Sequence, residues 1–407
     1  MKERLKAPEL RFPGFTDDWE ERKLGDIGDT FTGLTGKTKE DFGHGSAKFV
    51  TYVNVFQNPI ATLDQLDAVE IDEKQNQVQK GDVFFTTSSE TPEEVGMSSV
   101  WTYDTKNVYL NSFTFGYRPR VSFDLNYMAS MLRSPSIRKK ITFLAQGISR
   151  YNISKTKMLE IEIPAPNLSE QKKIGSFFKL LDDTIALHQR KLDLLKEQKK
   201  GYLQKMFPKN GVKVPELRFA GFADDWEERK FSDFTKLSQG LQIAISDRFT
   251  EAGPNKEFYI TNEFLNPNNT KKYYIENPSK NVIANKNDIL MTRTGNTGKV
   301  VTNTKGAFHN NFFKIDYDPQ KISKLFLYFL LTSIPIQKEI LIRAGTSTIP
   351  DLNHKDFYNI KVYLPIFEEQ QRIGSFFKQL DDTIALHQRK LDLLKEQKKG
   401  YLQKMFV

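Results

Sequence analysis

The chain has 407 residues, of which 38% are hydrophobic and 27% charged, so it can build more than one packed core and is neither disordered nor fibrous. It has no cysteine, no apolar stretch approaching the roughly 18 residues of a membrane span and no signal-peptide core at its start. We therefore expect a cytoplasmic protein without disulfides, thiolate metal sites or a membrane partner. Its formal net charge of +9 favours a polyanionic partner but does not locate the binding surface.

The chain contains a long internal repeat, and the first repeated segment lies near its start. Residues 8–27, PELRFPGFTDDWEERKLGDI, recur as residues 215–234, PELRFAGFADDWEERKFSDF, with 15 of 20 positions identical. Trp19 and Trp226 follow paired acidic residues in the two copies, and we expect both indoles to anchor a core. Because a repeat of this length sets the architecture, the chain is expected to fold as two similar halves.

The two stretches that follow, residues 28–165 and 235–365, share almost no sequence identity, but both have the pattern of mixed α and β structure. Each has a short apolar strand, then a helical stretch interrupted by a proline, then a closing strand. In chain order these predictions cover 80–87, 125–144 with Pro135, and 160–164 in the first stretch, and 286–293, 323–342 with Pro335, and 359–365 in the second. Repeated frames therefore hold two variable inserts.

A second repeated segment predicts one long helix in each half. Residues 174–207 recur as 373–406 with a single difference, Leu180 against Gln379. A stripe with 3-4 spacing runs along both copies, as is typical of helices that pack lengthwise. The stripe consists of Phe178, Leu181, Ile185, His188, Leu192, Leu195, Lys199 and Tyr202, and of Phe377, Leu380, Ile384, His387, Leu391, Leu394, Lys398 and Tyr401. We expect two antiparallel helices, each about 50 Å long, that act as a spacer of fixed length.

The repeated helices also carry the net charge. Residues 171–207 contain nine basic and four acidic side chains, and residues 371–406 contain eight and four, so the rest of the chain is neutral. DNA binding by the inserts would therefore depend on local patches. The basic stretches 196–205 and 395–404 have two interpretations, a solvated helix face or a contact with phosphates or an acidic partner.

No catalytic motif is found in the sequence. Residues 294–299, TGNTGK, lack the spacing of a phosphate-binding loop, and the Asn/Asp-Pro-Pro-aromatic turn of amino methyltransferases is absent. Residues 170–172, EQK, have the acidic-x-Lys form of some nucleases, but the second copy reads EQQ. The five histidines include no pair at metal-ligand spacing. We expect no catalytic residue, metal or cofactor in this chain.

One motif opens each long helix: a strand ending in Ile-Pro or Leu-Pro is followed by Glu-Gln-x-x-Ile, at residues 163–174 and again at 364–373. The chain also has strands that open with Gly-Asp-Val and Asn-Asp-Ile, at residues 81–83 and 287–289, and a duplicated layout. With these three features the chain resembles the DNA-specificity (S) subunit of type I restriction–modification enzymes. The resemblance covers essentially the whole chain. It implies an α+β fold with pseudo-two-fold symmetry, in which two long antiparallel coiled-coil helices separate two similar mixed α/β target recognition domains. The boundaries are 1–165 for the first domain, 166–210 for the central helix, 211–365 for the second domain and 366–407 for the C-terminal helix.

The resemblance also implies a function and partners. Each recognition domain would read one half of a bipartite, asymmetric site in double-stranded DNA, while the helices set the gap. Two modification subunits carrying S-adenosylmethionine would dock on the helices and methylate adenine, and two restriction subunits would add ATP-dependent and magnesium-dependent translocation and cleavage. The alternative is a structural coiled-coil adaptor that binds proteins and contacts DNA only non-specifically.

Candidate DNA-binding residues are polar side chains in predicted loops, because direct readout needs groups that reach base edges. They are Ser149, Arg150, Tyr151 and Asn152, with Lys48 and Arg118 as phosphate contacts, in the first domain, and Arg293, Asn296, Lys299, Arg343, Thr346, Ser347 and Thr348 in the second. The first insert has Thr-Thr-Ser at residues 86–88 where the second has Thr-Arg-Thr at residues 292–294. The first insert thus lacks an arginine equivalent to Arg293, which weakens any transfer of that role to the first domain. For each candidate the competing interpretation is an ordinary turn or surface residue.

Overall fold

The computed structural model describes residues 7–209, 211–266, 268–345 and 348–406. Contacts divide the chain into two compact units. Unit 1 comprises Met1–Gln189 and Arg389–Val407, and unit 2 comprises Arg190–Gln388. Each unit therefore takes the first half of one long helix and the second half of the other.

Unit 1 contains two antiparallel or mixed sheets, two short ribbons and a set of helices. Its strands are β1 (Glu20–Lys23), β2 (Gly28–Thr32), β3 (Phe42–Val50), β4 (Leu66–Val69), β5 (Val83–Thr86), β6 (Ser88–Ser89), β7 (Ser98–Val100), β8 (Val108–Leu110), β9 (Thr114–Pro119), β10 (Tyr151–Asn152) and β11 (Glu162–Ala165). Its helices are α1 (Leu24–Ile27), α2 (Tyr52–Gln57), α3 (Leu125–Leu132), α4 (Pro135–Leu144), α5 (Lys155–Leu159) and the first half of α6 (Leu168–Lys205). The sheet orders are β2-β9-β5-β7 and β4-β3-β8, and the ribbons are β1-β11 and β6-β10.

Unit 2 repeats this plan. Its strands are β12 (Glu227–Lys230), β13 (Thr235–Gln239), β14 (Lys256–Ile260), β15 (Tyr274–Glu276), β16 (Ile283–Ala284), β17 (Ile289–Thr292), β18 (Val300–Val301), β19 (Gly306–Phe308), β20 (Phe312–Tyr317) and β21 (Lys361–Leu364). Its helices are α7 (Phe231–Phe234), α8 (Lys324–Thr332), α9 (Ile334–Ala344), α10 (His354–Tyr358) and the first half of α11 (Phe367–Lys404). The sheet β13-β20-β17-β18 corresponds to β2-β9-β5-β7, and β15-β14-β19-β16 corresponds to β4-β3-β8. The prediction of two similar α+β halves is confirmed.

The predicted proline breaks separate α3 from α4 and α8 from α9. Pro135 occupies the first turn of α4, where a residue without an N–H is tolerated, and the hydroxyl of Ser134 accepts a hydrogen bond from the Ile137 N–H. Pro335 also lies in the first turn of its helix, as the second residue of α9. The proline therefore ends one helix and starts the next, as the sequence predicts.

The Glu-Gln motif fixes the start of each long helix to its unit. Glu170 is fully buried and accepts two hydrogen bonds from Arg11, at 2.7 and 2.8 Å. Arg218 makes the same bidentate pair with Glu369, with both distances 2.7 Å. The acidic residue of the motif is therefore part of an ion pair that ties the helix to the repeated N-terminal segment.

The glutamine of the motif joins the helix to the start of α3 or α8. The Gln171 side chain donates to the Pro166 carbonyl at 2.8 Å and accepts from the Asp124 N–H at 3.1 Å. Gln370 bonds in the same way to Pro365 and Ser323, both at 3.0 Å. These contacts explain why Glu-Gln occurs at both helix starts.

Two glycines allow the long helices to approach their units closely. A Cβ atom on Gly175 would lie 2.6 Å from the Tyr127 backbone nitrogen, and one on Gly374 would lie 2.8 Å from that of Phe326. Any larger residue would push the helix away from α3 or α8.

The two long helices pack antiparallel within each unit. In unit 1 the rings of Phe177 and Tyr401 lie 5.0 Å apart, and Lys398 pairs with Asp182. In unit 2 the equivalent contacts exchange the helices. The Phe376 and Tyr202 rings lie 5.1 Å apart, and Lys199 pairs with Asp381 at 2.5 Å. Each unit therefore uses the same pair of contacts, with the two helices in exchanged roles.

The predicted stripe faces inward on both helices. Phe178, Leu192, Leu195, Phe377, Leu391 and Leu394 are buried, and Leu181, Ile185, His188, Leu380, Ile384 and His387 are half-buried. Both repeated tryptophans, Trp19 and Trp226, are buried in the cores of their units, as predicted. Apart from Leu168 at the start of α6, the exposed leucines of the long helices lie on another face, at Leu180, Leu187 and Leu194 on α6 and at Leu386 and Leu393 on α11.

Among the described residues no single helix has the length and apolar composition of a membrane span, although the bent pair α8–α9 meets that test when its two helices are taken together.

Candidate nucleic-acid interface

In unit 1 the predicted reading loop forms a hairpin beside the turn that follows β5. β10 pairs antiparallel with β6, which places Tyr151 opposite Ser89 and Asn152 opposite Ser88. The Ile153 N–H also donates to the Thr87 carbonyl at 3.0 Å. The structure thus brings together two segments that are separated by about 60 residues in the chain.

The hairpin is closed by hydrogen bonds at its base. Gln146 and Asn152 exchange both backbone hydrogen bonds, at 2.9 and 2.8 Å. Gly147 has a φ of +144°, and a Cβ atom there would lie 2.0 Å from the Arg150 carbonyl oxygen. The tip residues Ser149 and Arg150 are exposed. Their side chains are therefore presented on an ordered turn that requires glycine at its first position.

The two predicted phosphate contacts of unit 1 have different surroundings. Lys48 is exposed on the central strand β3. Arg118 makes a bidentate ion pair with the buried Asp82, both distances being 2.7 Å, and its guanidinium lies 5.0 Å from the centre of the Phe31 ring. The hydrogen bonds to Asp82 raise the pKa of Arg118. The charge of Arg118 is thus balanced inside the unit, whereas Lys48 faces solvent.

Unit 2 brings together the turn after β17 and the loop after α9, which are equivalent to the turn after β5 and the hairpin of unit 1. Thr294, just after β17, bridges to Asp351, and the hydroxyl of Thr294 hydrogen-bonds to the Asp351 carboxylate. Arg293 pairs with the same carboxylate at 2.7 Å, and the Leu352 N–H donates to the Arg293 carbonyl at 2.9 Å. Arg293 therefore joins the two loops of unit 2.

The turn after β17 presents two of the predicted side chains to solvent. The buried hydroxyl of Thr292 donates to the Asn296 carbonyl and accepts from the Lys299 N–H at 2.9 Å. Thr297 fastens the turn to the Pro350 carbonyl at 2.7 Å. Asn296 and Lys299 are exposed. Backbone and threonine contacts hold the turn, so these two side chains are available for a ligand.

The remaining candidates of unit 2 lie at or after the end of α9. Arg343 is half-buried and pairs with Glu339 one turn earlier, at 3.1 Å. Thr348 is exposed. Thr346 and Ser347 lie outside the described residues. Arg343 therefore contributes to its own helix as well as to the charge of this end of the unit.

One histidine lies close to this turn. Burial lowers the pKa of His354, and the Arg293 guanidinium lowers it further. The His354 ring packs 4.7 Å from Phe313, which also lies under Arg293. His354 is accordingly neutral at pH 7, so the positive charge here belongs to arginine and lysine.

Ser88 and Ile148 are not among the candidates predicted from the sequence, but the structure pairs Ser88 with Asn152 and exposes Ile148 at the hairpin tip. A signal for Ser88 was present in the sequence. When the alignment of residues 80–87 with 286–293 is extended by one position, Ser88 pairs with the hydroxyl residue Thr294. No pattern in the sequence indicated that Ile148 would be exposed. Among the described residues, no cluster of three or more histidine, aspartate or glutamate side chains can hold a metal ion.

The structure is a duplicated α+β protein, in which two units of similar topology share repeated helices and carry different loop tips. The family model described as the type I restriction modification DNA specificity domain matches this chain twice, over residues 16–197 and 223–396. The chain belongs to this family. It is a DNA specificity subunit of a type I restriction–modification system, a non-catalytic component that recognises DNA sequence, as the resemblance implied.

The relatives have similar lengths. A Methanocaldococcus jannaschii protein named as the MjaX specificity subunit of a type I restriction enzyme is 24% identical over 398 residues, covering 94% of this chain and 91% of the relative. The crystal structure of an S subunit from M. genitalium matches with a TM-score of 0.61 and 18% identity, over 98% of this chain and 99% of that one. A second structure, from a study of complex assembly and conformational transition of the type I system, matches with a TM-score of 0.59 and 17% identity, over 97% and 98%. These structures support the same fold.

Proposed function

We propose that unit 1 and unit 2 each read one half of a bipartite, asymmetric site in double-stranded DNA. The observation that carries this proposal is that the same two loops meet in both units but present different side chains. In the loop before the closing strand, unit 1 exposes Ser149 and Arg150 where unit 2 exposes Thr348. In the turn after β5 or β17, unit 1 exposes Glu90 and Glu93 where unit 2 exposes Asn296 and Lys299. Identical surfaces would favour a symmetric site, whereas different surfaces favour two different half-sites.

The exposed side chains suit the edges of base pairs. A two-stranded ribbon such as the unit 1 hairpin fits the major groove, where the Arg150 guanidinium can pair with guanine O6 and N7. An asparagine such as Asn296 can pair with adenine N6 and N7. Lys48 and Lys299 can neutralise phosphates, which positions each unit without reading sequence.

Single substitutions in the two units test whether each unit reads one half-site. We expect Arg150→Ala to relax recognition at one or two positions of one half-site, and Asn296→Ala to relax recognition in the other half, because each removes one base-edge partner. The measurement is the genome-wide methyladenine pattern made by each variant with the modification subunits. Relaxation in the same half by both variants would contradict the proposal.

The long helices are proposed to set the gap between the half-sites. Each has 38 residues, which corresponds to about 57 Å at 1.5 Å per residue. Ion pairs and ring contacts fix the antiparallel register of the two helices in both units. An antiparallel helix pair of this length supports the proposal of a constant spacing.

The exposed leucines of the helices are proposed to dock the two modification subunits. Leu180, Leu187 and Leu194 recur every seven residues, which puts them on one face of α6. Leu386 and Leu393 do the same on α11. The modification subunits would supply S-adenosylmethionine and methylate adenine, and restriction subunits would supply the ATP-dependent and magnesium-dependent steps in the cytoplasm.

Charge placed on this face tests the docking proposal. We expect Leu187→Glu and Leu386→Glu each to remove one modification subunit from the complex, because a carboxylate would be buried in an apolar contact. The measurement is the mass of the purified complex in solution. Leu63→Glu, at an exposed leucine outside the helices, is the control and should retain two subunits. Two bound subunits in all three variants would contradict the proposal.

A further inference from the structure

The tip of the unit 1 hairpin carries an isoleucine that no core uses. Ile148 is 97% exposed, more than any other large hydrophobic side chain among the described residues. It lies between Gly147 and Ser149, two residues before Arg150. A single exposed isoleucine is ordinary on a protein surface, but Ile148 lies on the candidate reading loop, where a ligand that binds the loop would cover it and remove its apolar surface from water.

The turn holds Ile148 in a defined place. The paired hydrogen bonds of Gln146 and Asn152 close its base, and the Asn152 side chain donates to the Arg150 carbonyl at 3.2 Å. The pairing of β10 with β6 fastens the base to the body of unit 1. Because the ribbon is held at its base, its tip loses less conformational entropy on binding a partner than a loose segment would.

Unit 2 has an exposed isoleucine in the equivalent loop but three positions further along, because Ile148 aligns with Thr346 and Ile349 with Tyr151 when Gly147 and Gly345 are matched. Ile349 is 61% exposed and lies two residues before Asp351, which bridges to the turn after β17. Both units thus have a branched aliphatic side chain next to the polar residues of the reading loop.

We propose that Ile148 is a specificity-determining residue that recognises a thymine by contact with its 5-methyl group in the major groove. This inference rests on the proposed function, namely that the hairpin enters DNA. The thymine methyl is the apolar group that base-pair edges offer there, whereas contact with a polar edge would bury unpaired donors or acceptors. Insertion between stacked base pairs is the competing mode for an exposed isoleucine. The neighbouring Ser149 and Arg150 favour groove contact, because both need base edges within reach of the same tip.

The test removes the methyl group from the DNA and the side chain from the protein. After the methyladenine pattern has defined the half-site of unit 1, each of its thymines is replaced in turn by uracil, which lacks only the 5-methyl group. Dissociation constants are measured by fluorescence anisotropy for the complex with its modification subunits. We expect uracil at one position to weaken binding by about three- to fivefold.

The Ile148→Ala variant completes the cycle. It should lose about three- to fivefold on the thymine duplex and show no further loss on the uracil duplex at that position. Ile71→Ala, at another exposed isoleucine of unit 1, is the control and should bind like the wild type. Because Ile148 packs in no core, its loss should leave the unfolding of unit 1 unchanged, which a thermal melt verifies.

Three outcomes would overturn the inference. They are a half-site without any thymine, a wild-type complex indifferent to uracil at every position, or an Ile148→Ala complex that loses the same affinity on both duplexes. If in these cases Arg150→Ala still relaxes one half-site, the proposed function stands without the isoleucine contact. If Arg150→Ala and Ile148→Ala both bind and methylate like the wild type, the hairpin does not read DNA and the proposed function fails for unit 1.

Discussion

Glu170 is a buried carboxylate whose charge is balanced by a side chain from the repeated N-terminal segment. Arg11 donates two hydrogen bonds to it, and the Trp19 indole N–H donates a third at 3.1 Å. The hydrogen bond to Glu170 raises the pKa of Arg11, so the arginine stays charged. Unit 2 keeps the ion pair through Glu369, but within the described residues the indole N–H of Trp226 is without a hydrogen-bond partner. The acidic residue that resembles a nuclease motif in the sequence therefore has a structural role.

Removing Arg11 tests the importance of this pair. We expect Arg11→Leu to destabilise unit 1 by about 3–5 kcal/mol, because the Glu170 charge would remain buried without a partner. Urea unfolding followed by amide hydrogen exchange in unit 1 measures the change. Arg22→Leu is the matched control, since its partner Glu20 is exposed, and it should cost less than about 1 kcal/mol. Equal losses of unfolding free energy in the two variants would show that the Arg11–Glu170 pair contributes no more than an exposed ion pair.

At the scale of elements, sequence patterns predicted the features with strong local signals. The 3-4 spacing predicted the long helices and their inward stripe, and Pro135 and Pro335 predicted the breaks between paired helices. The strands at 83–86 and 289–292 followed from apolar runs after a turn.

The pairing of distant segments could not be predicted. β6 and β10 have two residues each and lie about 60 residues apart, so neither has a detectable period. The ion pair between Arg118 and Asp82 joins residues 36 positions apart, and nothing in the local sequence distinguishes Arg118 from an exposed arginine. The exposure of Ile148 likewise depends on a turn that forms only after the hairpin has paired. The candidates were predicted as loop residues, but Lys48 and Arg118 lie in strands and Arg343 lies in a helix, and the surroundings of each candidate depend on tertiary contacts.

Shortening both helices tests whether they set the gap. We expect a complex that lacks residues 185–191 and 384–390 to methylate a site with both half-sites unchanged and a shorter gap. Removal of seven residues keeps the 3-4 stripe in phase and brings Leu194 and Leu393 to the positions of Leu187 and Leu386, so a leucine remains at each docking position. It shortens each helix by roughly 10 Å, about three base pairs. Methyladenine mapping reads the half-sites and the gap together. An unchanged gap would mean that another part of the complex determines the spacing.

At the scale of the whole molecule, the chain is a duplicated frame that holds two different inserts. The repeated segments contribute the ion pairs, the glutamine contacts and the antiparallel helices that recur in both units. The inserts contribute sheets of the same order but loops of different chemistry. This separation of frame and insert makes the inserts exchangeable in principle, because each meets the frame through the same contacts.

The most direct test of two independent half-site readers is an insert exchange. Residues 235–365 are replaced by the corresponding insert of another specificity subunit, and the complex with the modification subunits is mapped for methyladenine across a genome. The wild-type complex should produce one split, asymmetric motif with a fixed gap. The exchanged complex should change one half of that motif and leave the other half and the gap unchanged. A change in both halves, or methylation without a split motif, would contradict the division of DNA recognition between the two units.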